Sequence, residues 1–150
     1  MKDFPAYVYY PLQWTWGIIQ NVVGLVIYVA NSGRTRFRYG RSFGTFWKRY
    51  DSMSMGMFIF LAQNLEVCDL EDENSVGSQV AVHEYGHTFQ SLILGPFYAI
   101  VGVISVGWGS VIYPILKGTK KYKDVKYTKC FVEYNASWLG EKITGEKACW

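Results

Sequence analysis

Between residues 75 and 94 the chain reads SVGSQVAVHEYGHTFQSLIL, and this stretch decides the fold. Ser75 is a good helix N-cap, and Gly95-Pro96 stops whatever helix precedes it, so the spacing predicts one helix from about Ser75 to Leu94. Val76, Val80, Phe89 and Leu92 are available for its buried side. Within it, His83-Glu84-Tyr85-Gly86-His87 is an HExxH sequence. A separation of four places both imidazoles on one helical face, where they can share a metal ion. These are the only 2 histidines in the chain, which weighs against a coincidental pair on a structural helix.

That pattern predicts zinc chemistry. Zinc lowers the pKa of a bound water to about 7 and polarises a carbonyl, and an adjacent carboxylate can carry the proton to the leaving amine. Glu84 is placed for the base, with His83 and His87 as two ligands. A catalytic zinc normally takes a third protein ligand and keeps one position for water. Downstream carboxylates are few: Asp124, Glu133, Glu141 and Glu146. Glu133 alone lies in an amphipathic stretch, FVEYNASWLG, whose apolar neighbours would hold it against the active helix; a solvated surface glutamate is the bland alternative.

Working outward, two apolar segments flank the helix. Trp14 to Ala30, WTWGIIQNVVGLVIYVA, carries no charge and is long enough for a short membrane crossing, with Tyr9, Tyr10, Trp14 and Trp16 as an interfacial aromatic belt. Lys2 beside Asp3 and the absence of a small-x-small site argue against a cleaved signal peptide. Phe97 to Leu116, FYAIVGVISVGWGSVIYPIL, is also uncharged, and Gly102, Gly107, Gly109 and Pro114 make it irregular. Between them, Met53 to Gln63 is a short apolar run that reads as an edge strand, and a further helix is expected from about Tyr127 to Glu141.

Composition agrees with a membrane. Half of the 150 residues are hydrophobic and only 18% are charged, against about 25% in soluble domains. The length suits a single domain, 1–150. The net charge of +3 hides two basic groups, one from Arg34 to Arg49 and one from Lys117 to Lys129, each directly after an apolar segment. Placement beside apolar segments points to anionic lipid and a cytoplasmic side, with the active site there too, rather than to nucleic acid. Cys68, Cys130 and Cys149 are odd in number and lack CxxC spacing, which speaks against a disulfide framework.

The HExxH followed by Glu133-Tyr134-Asn135-Ala136-Ser137-Trp138-Leu139-Gly140 resembles the membrane-embedded gluzincin metallopeptidases of the HtpX and CAAX-protease type, in a minimal form. There a later E-x-x-A-D segment supplies the third ligand. The resemblance implies that His83, His87 and Glu133 bind Zn2+, that Glu84 is catalytic, and that Met57 to Leu61 is an edge strand along which an extended substrate lies. Ser137 stands where that family has an aspartate, so it would accept from an imidazole N–H without charge.

The expected fold is therefore a mainly α membrane protein with a short β element. It has a zincin-like active-site helix, one N-terminal transmembrane helix, and a second apolar segment that is re-entrant or hairpin-like. Two single crossings would put His83 and Glu133 on opposite sides of the bilayer, so Phe97 to Leu116 should bend back near Gly102 or Gly107 to Gly109. The leading functional expectation is a membrane zinc endopeptidase that cuts a peptide or membrane-protein substrate with a metal-activated water. It would pack against itself as a homo-oligomer or against a partner membrane subunit. A non-catalytic zincin-like module serving assembly or regulation is the alternative. A channel subunit fits less well, because only Gln20 and Asn21 interrupt the first apolar segment.

Overall fold

The computed structural model describes residues 4–149. Helix dominates: α1 (Ala6–Thr15), α2 (Ile18–Ala30), α3 (Val76–Leu94), α4 (Tyr98–Gly107), α5 (Tyr113–Gly118) and α6 (Phe131–Thr144). A four-stranded mixed sheet lies between α2 and α3 in sequence, built from β1 (Arg36–Tyr39), β2 (Ser42–Trp47), β3 (Met53–Met55) and β4 (Phe58–Ala62) in the order β1-β2-β4-β3. β2 and β4 are parallel; the other two pairings are antiparallel.

Helix α3 forms where expected, for the expected reasons. Ser75 caps it, its side chain accepting from the Ser78 N–H, and Gly95 ends it at φ 52°. Phe89 and Leu92 are buried, but Val76 is 61% exposed, while its neighbours Gly77 and Ser78 are the residues of the first turn that face inward. One face of α3 lies on the sheet, where Tyr85 meets Tyr39 edge-on, and the other lies on α6. α3 and α6 approach so closely that a Cβ at Gly86 would collide with the Ala136 carbonyl, and one at Gly140 with the Val82 carbonyl.

Several expectations are corrected. The segment from Trp14 to Ala30 is not one helix: α1 and α2 meet at 94°. The bend sits at Trp16-Gly17 because the polar side chains around it turn inward. Buried Asn21 donates to the carbonyls of Gln13 and Gly17 and accepts from the Met57 N–H, Gln13 donates to the Thr88 carbonyl, and Gln20 to the Gly95 carbonyl. Tyr9, assigned to an aromatic belt, is fully buried and reaches Ser42 at 3.1 Å. The Arg-rich loop is two strands: Arg36 and Arg38 alternate with inward Phe37 and Tyr39, and their guanidinium groups lie over Tyr28 and Phe43. Arg-x-Arg spacing with aromatics between is the period of a strand, hidden by its charge.

The apolar run at Met53 to Gln63 is a hairpin rather than an edge strand. β4 is an interior strand buried along its whole length, and the edge is β3, turned back through Gly56 at φ 60°. Finally, the second apolar segment does not bend at Gly102 or Gly107. Its backbone stays helical from Tyr98 to Gly118, passing through a π-helical stretch at Trp108–Ile112, and the chain reverses only after Gly118. Joined to α3 it is the one helical run among the described residues long and apolar enough to cross a membrane unaided, and none of its most apolar stretch is buried. α6 begins at Phe131, a few residues later than expected, after a short 3-10 turn at Tyr127–Lys129.

Candidate metal centre

All four residues singled out in the sequence meet at the α3–α6 contact. His83, Glu84 and His87 on α3 are 6%, 4% and 5% exposed, and Glu133 on α6 is 1% exposed. The Glu133 Oε2 atom lies 3.2 Å from His83 Nε2 and 3.5 Å from His87 Nε2. One ligand atom from each of His83, His87 and Glu133 falls within 4.8 Å of the others, a spacing that can hold a metal ion. The close helix approach allowed by Gly86 and Gly140 is what brings a residue fifty positions away onto the histidine face.

The far side of each imidazole fixes which nitrogen is bare. Gln90 Nε2 donates to the Val132 carbonyl at 2.9 Å and to Asn135 Oδ1 at 3.0 Å, so its Oε1 must face His87, where it lies 2.7 Å from Nδ1. A carbonyl oxygen can only accept, so His87 carries a proton on Nδ1. Ser137 Oγ spends its single hydrogen on the Cys149 carbonyl at 3.3 Å and is left to accept from His83 Nδ1 at 2.9 Å. Both Nε2 atoms then point lone pairs at the Glu133 carboxylate, an arrangement that is repulsive unless a proton or a cation lies between.

Electrostatics say the same. Burial drives the Glu133 carboxyl upward, but His83 and His87, once protonated on the Nε2 atoms that face it, outweigh burial and hold the acid well below the usual carboxylate range. Burial pulls His87 down, yet Glu133, and behind it Glu84, hold its imidazole above the ordinary value. Burial is the largest influence on Glu84 and raises it; the two imidazoles offset only part of that. Glu84 Oε2 and Glu133 Oε1 are buried without a hydrogen-bond partner. Two imidazoles, two carboxylates and two unpartnered acceptor oxygens fit a divalent cation and its water, with borderline donors that suit zinc without excluding neighbouring metals.

The sequence reading named the ligands and Ser137. It missed Gln90, whose position three residues after His87 on one helix was a usable signal, and the Cys149 carbonyl, for which no signal exists. It also missed Ser54, which β3 holds near Glu84, on the sheet face that bears Ile59 and looks toward α3. No family model, no curated protein and no solved structure matches this chain.

Proposed function

We propose that this chain is a zinc-dependent endopeptidase seated at a membrane. The observation that carries the reading is the buried Glu84 carboxylate, with one oxygen unpartnered, beside a three-ligand group whose bare nitrogens both face Glu133. A site that merely stored a metal would need no second buried acid there. The order of the two motifs, and their resemblance to the membrane gluzincins of the HtpX and CAAX-protease type, support the same reaction class.

His83, His87 and Glu133 would hold the ion, which when bound acidifies water and polarises a peptide carbonyl. Glu84 takes a proton from the attacking water as the new C–O bond forms, then returns it to the amine as the C–N bond breaks. The raised pKa of Glu84 suits it to both halves of that transfer. Gln90 and Ser137 keep the ligand rings from rotating. β3 is one of the two outer strands of the sheet and borders α3, so its main chain can pair with an extended peptide whatever that peptide's sequence.

The test is metal content and peptide hydrolysis on detergent-purified protein. We expect about one zinc per chain, lost in Glu133→Ala and His87→Ala. Glu84→Gln should keep the metal and lose about a hundredfold or more of the activity. Zinc with no hydrolysis that depends on Glu84 would replace this reading with a non-catalytic metal-binding module.

A further inference from the structure

We propose that the chain is held in one leaflet of an anionic bilayer and that neither apolar segment crosses it. This rests on the membrane part of the reading above and not on the zinc chemistry.

Tyr98 to Gly118 is about 30 Å of helix, the thickness of a hydrocarbon core, with Trp108 near its middle. After Gly118 the chain doubles back along that helix. Trp108 Nε1 donates to the Tyr127 carbonyl at 2.8 Å, the Tyr127 ring stands edge-on to Tyr113 at 5.3 Å, and the Tyr127 hydroxyl lies against Gly109. Were the helix to span, Tyr127 would sit at mid-depth, with Lys126 and Lys129 beside it and irregular backbone from Thr119 onward exposed to lipid. Hydrocarbon does not tolerate such backbone unless protein or water covers it.

The first segment cannot cross either. α2 has 13 residues, about 20 Å, and one of its faces is fixed to the sheet. Gly24 sits against the Met55 carbonyl, Tyr28 packs on Phe43 and Phe58, and Gln20 and Asn21 are hydrogen-bonded inward. A spanning α2 would carry the sheet into the membrane with it.

What both segments do have is an outward apolar face. Ile19, Val22 and Val26 on α2 are 61%, 48% and 64% exposed, and Ile100, Val103 and Ile115 on the second run are 60%, 74% and 65% exposed. The two faces join at Gly95, against which the Trp16 ring packs, while Ile93 and Phe97 beside it are exposed. Lys117, Lys120, Lys121 and Lys123 rim the far end of this surface, and exposed Arg36 and Arg38 follow α2. An apolar face rimmed by cations complements the headgroups and outer acyl region of an anionic leaflet.

The test adds the full chain to preformed vesicles and treats them with trypsin from outside. Association should be at least about tenfold tighter with phosphatidylserine vesicles than with phosphatidylcholine ones, and weaker in added salt. In intact vesicles trypsin should cut both at Lys48-Arg49 in the body and within Lys117 to Lys129. A second readout, Gly118→Cys, should react with a membrane-impermeant maleimide before permeabilisation. Lysines 117–129 that become cleavable only after permeabilisation, or a silent Gly118→Cys, would overturn the one-leaflet topology alone. No association with either vesicle would remove the membrane reading as well, whatever the zinc content shows.

Discussion

Glycine lies on both sides of this molecule and means opposite things there. In the α3–α6 contact, Gly86 and Gly140 have no room for a single additional carbon, because each faces a carbonyl oxygen of the other helix. In the run from Tyr98 to Gly118, a Cβ added at Gly102, Gly107 or Gly118 would meet nothing within 4 Å among the described residues. The first pair sets a distance between helices and thereby brings Glu133 onto the face that bears His83 and His87. The second set leaves one side of the helix open, with apolar side chains turned outward, while Gly109 on the same run lies against Tyr127. A glycine-rich helix is thus no sign of a kink by itself; what matters is whether another backbone occupies the space its missing side chain leaves.

The comparison is broken most readily at Gly86. Gly86→Ala should push α6 away from α3, lower stability by about 2–3 kcal/mol or more, and abolish metal binding, as read by thermal unfolding and zinc content. If the variant kept both, the close approach would not be what builds the site. Gly140→Ala should act in the same direction.

Next in size are the groups behind the ligands. Gln90→Leu removes the acceptor from His87 Nδ1 and both tethers to α6, so zinc affinity should fall about 10–100-fold with the fold retained. Competition with a chromophoric chelator measures it. Ser137→Ala should fall within the same range at its lower end, since the serine is a neutral acceptor for one ring only.

Acidification gives a graded effect on the same centre. His87 holds its proton to higher pH than a free imidazole, because Glu133 and Glu84 face it. Metal must displace that proton, so binding should release protons near neutral pH and should already weaken as pH falls toward the ordinary imidazole value of about 6.5, from above it. Calorimetry in buffers of different ionisation enthalpy counts the protons. The smallest effect belongs to the other region: Gly102→Ala or Gly107→Ala should be neutral or stabilise by up to about 1 kcal/mol, through helix propensity alone. A large loss at either position would show a neighbour packed there and would erase the contrast.

Much of the site was legible because it is local. His83, Glu84 and His87 share one helix, and the periodicity that exposes a metal-binding face is the same one that ends at Gly95-Pro96. Glu133 was legible through its amphipathic surroundings and a resemblance. The sheet was legible only in part. Arg36 and Arg38 disguised β1 as a basic loop, and the run of apolar residues in β4 concealed that it is flanked on both sides by strands.

The sequence by itself singled out His83, Glu84, His87 and Glu133 as one candidate group, and determined where α3 begins and ends and that two segments have apolar faces to cover. Those are properties of spacing along one element, set by the 3.6-residue turn and by caps. Tertiary structure alone decided that Gln13, Gln20 and Asn21 fold inward to break the first apolar segment, and that Gln90 and the Cys149 carbonyl orient the ligand rings. It also decided that the chain after Gly118 returns to Trp108. Each of these depends on which backbone groups from distant parts of the chain arrive unpaired at the same place. Hydrogen-bond demand of that kind is settled by packing and leaves no periodic trace in the sequence.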